Sequence, residues 1–389
     1  MYLSKPQARR RVLSLEEALL LFIIFWLALA LLLSVVRVKG VQFKPFILIV
    51  KASPKRLDKL LARLLSGRLR ALAVLLDVGV AVGFGMMAFS LYFLAFNLVK
   101  HFTSPKSFVA VLPPIPGVLF PLEVLPHFIA ALFIAATLHE VAHAAASKHA
   151  GIKVRSVGAA LLAVIIAAFV ELEEKDVEKA GLEEKLRVFS AGSFANLALF
   201  ILLLMAFTAL FQPGGVFIQH VEPSTPASSA GIVEGCVIQR LNDTYILSVA
   251  DLHGFMERTR PNQTVMVGFL NPDGLQREVS LSAASHPANS SRGFLGVMPV
   301  DFYEVRGLSL PPRLLVQVLT FYGWLEAVLF SLAVFNMLPM AVTDGGRMIH
   351  AVLCRLIKDG EATARKLVAA LTVASVGLIA FNIAATLAL

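Results

Sequence analysis

The feature that most constrains this chain is a series of apolar runs, each long enough to cross a bilayer as a helix. A membrane-spanning helix needs about 20 predominantly apolar residues. Runs of this length lie at about 18–36, 71–99, 125–148, 188–211, 314–338 and 366–389. The first exceeds the 7–15 apolar residues of a signal peptide, which favours an anchor helix. With 57% hydrophobic residues, the chain is predicted to be a polytopic α-helical membrane protein with about six transmembrane helices.

The distribution of basic residues fits this prediction better than it fits a nucleic-acid partner, and no such partner is expected. The formal net charge is +9, but Lys and Arg concentrate in short loops beside the apolar runs, as in cytoplasmic loops of membrane proteins. In the most basic loop, 37–70, leucines recur at helical spacing from Leu57 to Leu65. This predicts an amphipathic helix, which either lies on an anionic leaflet, the favoured interpretation, or is a solvated linker.

The third apolar run ends in the sequence Leu138-His139-Glu140-Val141-Ala142-His143. On a helix, His139 and His143 lie one turn apart on the same face, so both imidazoles can reach one metal ion. Glu140 lies beside them, in place to take a proton from a metal-bound water. The alternative is that these residues simply pack in a buried helix, but groups that can carry charge are costly in so apolar a segment. The motif therefore predicts a site for one zinc ion.

Two later segments add candidate functional elements. Residues 157–170 are apolar but short, and acidic residues follow at once. They form either a short helix or, as we favour, a re-entrant β-hairpin, because extended backbone at membrane depth is allowed only where protein shelters it. In the fourth apolar run, Gly192 permits close approach of helices, and Asn196 offers an amide for hydrogen bonds, in a functional role or in packing.

Residues 213–305 have a different character. Short strand-like runs alternate there with turns rich in Gly, Pro and Asn, which predicts a soluble β-rich domain of ordinary size. The predicted strands are Val216–Val221, Val237–Leu241, Val265–Leu270 and Glu278–Leu281.

The fifth apolar run leads into Asn336-Met337-Leu338-Pro339, and Asp344-Gly345 follows. If the basic loop 37–70 is cytoplasmic and the spans alternate, the third and fifth spans both end at the cytoplasmic face. His139, His143 and Asp344 then lie near one face of the membrane, as a shared metal site requires. The β-rich domain lies on the opposite, extracytoplasmic side.

Together these motifs resemble the site-2 protease family of intramembrane zinc metalloproteases, the M50 type, over roughly residues 125–360. The resemblance implies that His139, His143 and Asp344 are zinc ligands and that Glu140 is the catalytic acid and base. Asn336 is similar to the family asparagine that holds the substrate or its oxyanion, and Asn196 belongs to a further family motif and is assigned to the same group of residues. Residues 167–171 are similar to the membrane-embedded hairpin of the family.

The β-rich segment is similar to a PDZ domain in its Gly, Pro and Ala-Gly pattern from Gly215 to Ile238, although Cys236 stands where an acidic residue is common. The predicted divisions are N-terminal transmembrane helices with the basic loop, the first part of the catalytic membrane core, a PDZ-like extracytoplasmic domain, the second part of the core and a C-terminal transmembrane helix. They cover residues 1–124, 125–212, 213–305, 306–360 and 361–389.

The resemblance implies cleavage of transmembrane segments in single-span membrane proteins, with these substrates and the lipid bilayer as partners. Two alternatives stay open. One is a membrane zinc protease of the prenyl-protein type, which resembles H-E-x-x-H proteins with a glutamate as third ligand and has no need of Asp344. The other is a non-catalytic metal-binding scaffold whose β domain binds peptides.

Overall fold

The structure, a computed structural model, describes residues 15–36, 40–66, 69–112, 120–162, 165–357 and 360–388. Parts of the predicted basic loop, residues 37–39 and 67–68, lie outside the described residues. The chain divides into two compact units, one formed by residues 1–200 with 324–389 and the other by residues 201–323.

Helices account for most of the first unit. In chain order the helices of the described residues are α1 Leu15–Val35, α2 Lys55–Leu65, α3 Leu69–Thr103, α4 Leu125–His149, α5 Glu174–Lys179, α6 Leu182–Leu210, α7 Pro226–Ser229, α8 Val249–Arg258, α9 Pro312–Phe335, α10 Asp344–Leu356 and α11 Glu361–Leu387. Of these, α3, α4, α6, α9 and α11 are long and apolar enough to cross a membrane. In each, most residues of the most apolar stretch are not buried within the protein, which is compatible with contact with lipid.

The chain is therefore a multi-pass membrane protein, as predicted. The described residues contain five helices that meet the length and composition of a span. The sixth predicted span, 18–36, coincides with α1, of which Phe22–Val35 is a shorter apolar helix. A sixth crossing of the membrane stays a prediction.

The first unit also contains a four-stranded antiparallel sheet, with strands β1 Val41–Lys44, β2 Ile47–Ala52, β3 Val154–Leu162 and β4 Ile165–Leu172. The strands lie in the order β1-β2-β3-β4. Residues 157–162 and 165–170 thus lie in paired extended strands, as in the favoured alternative, rather than in a short helix. The depth of this hairpin in a membrane stays a prediction.

The hairpin β1–β2 is a correction to the sequence analysis, which expected only an amphipathic helix in loop 37–70. That helix exists as α2, with Leu61 buried and Leu60 exposed. Before it, however, β2 pairs with β3 along its full length, from Ile47 opposite Leu162 to Ala52 opposite Val157. A partner strand more than a hundred residues away leaves no local signal, because pairing depends on tertiary contact.

Two polar contacts tie the helices of the first unit together. Asn97 on α3 donates to the Asn382 side chain on α11 over 2.8 Å, and both residues are buried. Arg187 on α6 donates two hydrogen bonds to the Asp77 carboxylate on α3, at 2.6 and 2.8 Å. Asp77 therefore anchors the first turns of α6. Planar two-point pairing of this kind fixes orientation as well as distance.

The apolar core of the first unit lies around the ends of α4, α6, α9 and α10. Ala146, Val188, Ala333, Met337 and Met348 are all buried there. Because each comes from a different helix or from the turn after α9, this packing brings the polar residues of those segments to one place.

The second unit contains a β-rich domain, in the part of the chain where the sequence predicts β-rich character. Its strands are β5 Phe211–Val221, β6 Val237–Leu241, β7 Thr244–Tyr245, β8 Thr264–Leu270, β9 Gln276–Ser282, β10 Ala284–His286, β11 Asn289–Phe294 and β12 Val297–Val305. The main sheet runs in the order β12-β5-β6-β8-β9, with β7 paired to β6. The four strands predicted from sequence lie within β5, β6, β8 and β9. Inward-facing Val216, Ile218 and Ile238 pack with Leu252 and Met256 of α8 to form its core.

Candidate metal centre

The two histidines of the H-E-x-x-H motif lie on the buried face of α4, as their spacing predicts. Their Nε2 atoms are 3.1 Å apart, and both side chains are buried. Two imidazoles on adjacent turns of one helix are thus held with the same ring nitrogen facing the same point.

Asp344 reaches that point from the first turn of α10. Its Oδ2 atom lies 3.0 Å from Nε2 of His139 and 3.1 Å from Nε2 of His143. The helix start is fixed by Thr343, whose hydroxyl accepts a hydrogen bond from the Gly346 backbone at 3.3 Å. A Cβ at Gly345 or Gly346 would collide with the carbonyl groups of Met337 or Met340. The glycines after Asp344 therefore let α10 begin against the turn that follows α9.

The three donor atoms fit a zinc ion. Zinc–nitrogen and zinc–oxygen bonds of about 2.0–2.2 Å in a tetrahedral site place neighbouring ligand atoms roughly 3.3 Å apart. The separations of 3.0–3.1 Å in the structure are close to this value. Within the described residues, His139, His143 and Asp344 are the one group of three such ligands close enough to share an ion. A bound cation would also balance the buried Asp344 carboxylate, which is costly to leave uncompensated.

The charge state of Asp344 suits this role. Burial alone would raise the pKa of its carboxyl, but the neighbouring His143 and His139 outweigh burial when their imidazoles are protonated and hold that pKa below its usual range. The carboxylate is therefore available as an anionic ligand at neutral pH.

Helix α6 lies directly behind the two imidazoles. The Val188 carbonyl oxygen is 2.6 Å from Nδ1 of His143, and the Asn196 amide nitrogen is 3.4 Å from Nδ1 of His139. Between them, Gly192 faces the histidines: a Cβ there would lie 2.5 Å from Nε2 of His143 and 2.7 Å from Cδ2 of His139. The motif therefore allows α6 to approach the rings as closely as it does.

Replacing Gly192 with alanine is expected to displace the histidines and weaken metal binding, because a methyl group cannot occupy space within 2.7 Å of both rings. Zinc content after purification at limiting metal concentration measures the effect. The matched control is Gly85→Ala, since no atom lies within 4 Å of a Cβ at Gly85 on α3. Alanine there is expected to be neutral or to stabilise the helix by about 0.5–1 kcal/mol. Equal zinc content in the two variants would contradict the steric role of Gly192.

Glu140 lines the same cavity as the donor triad and also contacts the sheet. Its Oε2 atom accepts a hydrogen bond from the Val170 backbone N–H at 2.6 Å. Val170 belongs to β4, which is the last strand of its sheet. The side chain is thus held between the metal site and the edge of β4.

Asn336 lies just after the end of α9. Its amide nitrogen is 3.5 Å from Nε2 of His139, at the outer limit of a hydrogen bond. The side chain is half-buried, so it borders the site while staying accessible from the cavity.

These groups open onto one cavity of about 990 Å³. It is bounded by α4, by β4 from Ala167 to Leu172, by Asn336 and by Asp344. At its rim, Glu171 accepts hydrogen bonds from Ser156 on β3 and Lys51 on β2. These contacts lower the pKa of the Glu171 carboxyl, so it stays ionised. The structure thus brings every predicted site residue to the wall of this cavity or directly behind it.

Two contributors were missed by sequence reasoning. The Val188 carbonyl is a backbone group, and no side-chain motif marks it. Lys51 comes from the unpredicted strand β2. Only the strand-like alternation of Val41–Lys44 could have pointed to that hairpin, and the surrounding basic residues obscured it.

Comparison with known families agrees with this geometry. The model of Peptidase family M50 matches residues 127–379, which is more than half of the chain. The chain belongs to Peptidase family M50. The matched segment contains nearly all of α4 and the whole of β3, β4, α6, α9 and α10, and so all of the donor and cavity residues described above except those of β2. M50 is a family of intramembrane metalloproteases, and that membership agrees with the multi-pass helices and the buried triad.

The chain is also similar to two individual proteins. The chain is 29% identical over 287 residues to an uncharacterized protein of Methanocaldococcus jannaschii, covering 71% of this chain and 69% of the relative. It is also similar to the PDZ domain of the SdrC-like protein from Listeria monocytogenes, at 16% identity and a TM-score of 0.21. That match covers 23% of this chain and 90% of the domain.

Proposed function

We propose that this M50 family member is an intramembrane zinc metalloprotease that hydrolyses peptide bonds in transmembrane segments of single-span membrane proteins. The observation that carries the proposal is the convergence of His139, His143 and Asp344 on one point, with Glu140 beside them, in a cavity bordered by the edge of a sheet.

In this proposal His139, His143 and Asp344 hold the zinc ion. When bound, zinc acts as a Lewis acid and lowers the pKa of water toward about 7. Glu140 takes the proton from the attacking water and delivers it to the leaving amine. Asn336, whose amide borders the same cavity, donates a hydrogen bond to the carbonyl oxygen as negative charge develops there.

A transmembrane substrate helix must unwind before it can be cut, because its carbonyl groups are engaged in hydrogen bonds and inaccessible. The edge of β4 offers partners for the released backbone groups, since no further strand of the described residues pairs with it. Strand addition at such an edge aligns a peptide through its main chain. The Val170 N–H, which donates a hydrogen bond to Glu140, lies on this edge. An added strand would therefore run directly past Glu140 and the metal ligands.

The proposal includes a location for the site. The active site is near the cytoplasmic ends of the spans, where water can reach it, and the PDZ-like domain is extracytoplasmic. Labelling of single cysteines introduced at exposed positions of α2 and of the β domain with a membrane-impermeant thiol reagent tests this arrangement. Labelling of both from the same side of sealed vesicles would refute it.

The decisive experiment is cleavage of a panel of single-span substrates by the purified full chain, with zinc counted, before and after chelation. We expect one zinc per chain and cleavage that is lost on chelation and restored by zinc. A chain that binds zinc but cuts no substrate of the panel would favour the scaffold alternative. A chain that binds no zinc would overturn the proposal.

Membership in the M50 family and the position of Asp344 favour this proposal over the prenyl-protein type. The placement of Glu140 favours an enzyme over a scaffold, because metal retention alone does not need a carboxylate held beside the donor triad.

A further inference from the structure

Asn196 is placed where it cannot meet a substrate. Its side chain is 0% exposed, behind His139 on α6, on the side of the imidazole opposite Nε2. Among the described residues its Oδ1 atom has no hydrogen-bond partner. Three residues earlier on the same helix, the buried hydroxyl of Ser193 also has none. Buried polar atoms are nearly always hydrogen-bonded, so an unsatisfied one at a functional site calls for an explanation.

The chemistry of the neighbouring histidine supplies one. An imidazole that gives Nε2 to a metal carries its proton on Nδ1, which becomes a donor and requires an acceptor. For His143 that acceptor is already in place, the Val188 carbonyl oxygen at 2.6 Å. For His139 the facing group is the Asn196 amide, whose nitrogen lies 3.4 Å away. Two hydrogen-bond donors, the Nδ1–H of His139 and the amide NH₂ of Asn196, would then face each other.

A half-turn of the carboxamide removes this conflict. The oxygen and nitrogen ends of the group are nearly identical in shape, so rotation exchanges them without moving the backbone. Oδ1 then gains the partner it lacks, and Nδ1 of His139 gains its acceptor. One helix would in this way supply both outer acceptors of the metal site, one from its backbone and one from a side chain.

We propose that Asn196 is a positioning residue that accepts a hydrogen bond from Nδ1 of His139 and thereby fixes the tautomer and ring orientation of this ligand. The inference rests on the proposed zinc function. It gives Asn196 a role different from the substrate or oxyanion contact that the family resemblance suggested, because the side chain is enclosed.

The test measures zinc affinity of the full chain by chelator competition, for Asn196→Leu, Asn196→Ala and Asn196→Asp. Leucine and alanine lack the acceptor, whereas aspartate keeps it. We expect zinc affinity to fall by roughly 10–100-fold for the first two, the usual loss for an outer-shell partner, and to stay within a few-fold for aspartate. The cobalt-substituted protein should show an altered visible spectrum with leucine or alanine and a near-wild-type spectrum with aspartate.

The matched control is Asn382→Leu, another fully buried asparagine, whose amide bonds to Asn97 and to the Leu94 carbonyl. We expect it to lower thermal stability without changing zinc affinity. Wild-type affinity in Asn196→Leu or Asn196→Ala would overturn the inference, and so would an equal loss in Asn196→Asp. Two acceptor-free variants are used so that one which fails to fold does not decide the result. Absence of zinc from the wild-type chain would instead overturn the proposed zinc-dependent function.

Discussion

Glu140→Gln is expected to abolish peptide hydrolysis while leaving zinc bound. Glutamine keeps the length of the side chain and an oxygen that can still accept a hydrogen bond from the Val170 N–H, so the contact between α4 and β4 is retained. It cannot take a proton at neutral pH. General acid–base catalysis contributes about 10²–10⁴-fold to enzymatic rates, and we expect a loss of at least this size. Single-turnover cleavage of a membrane substrate, with zinc determined on the same sample, measures both quantities.

The control for Glu140→Gln is Glu361→Gln, which neutralises an exposed carboxylate at the start of α11 that is paired with Arg365. Surface pairs of this kind contribute little to stability, so both cleavage and zinc content should match the wild type. Cleavage that persists in Glu140→Gln at more than a tenth of the wild-type rate would assign the proton transfer to another group. Loss of zinc in that variant would show that Glu140 supports the metal site instead.

The sequence predicted two of the three donors from a local signal, because His139 and His143 lie one helical turn apart. Asp344 was predicted as the third donor from the family resemblance, and the structure places it in the first turn of α10. The β domain was equally readable, since strands such as Val237–Leu241 are short, alternating and bounded by turns. Length and composition likewise identified the five described helices that are long and apolar enough to cross a membrane.

What the sequence could not predict depends on tertiary placement. The strand β2 is defined by its pairing with β3, and that pairing joins Ile47 to Leu162. Gly192 lets α6 approach α4 closely, and this approach brings the Asn196 amide next to His139. Only the assembled helices show that the amide lies behind His139 rather than in the cavity. The Val188 carbonyl has no side-chain signature. Sequence motifs thus identified which side chains belong to the metal site, whereas packing determined which atom of each residue faces the histidines.

Asp344→Ala is expected to cost the chain its zinc and, with it, all cleavage. The substitution leaves His139 and His143 in place on α4 but removes the oxygen that lies 3.0–3.1 Å from both imidazoles. Loss of a direct ligand should weaken zinc binding by more than the roughly 10–100-fold that loss of an outer-shell partner costs. Zinc affinity measured by chelator competition gives the result, with Asp273→Ala, an exposed aspartate in a turn of the β domain, as the control.

The two proposed enzyme classes with an H-E-x-x-H helix differ in the residue that supplies the third zinc ligand. A protease of the prenyl-protein type takes its third ligand from a glutamate, so Asp344→Ala would retain zinc and activity if the chain worked in that way. Retention of zinc by Asp344→Ala would therefore remove Asp344 from the metal site, whereas loss of zinc together with a normally folded β domain would tie the metal to the start of α10.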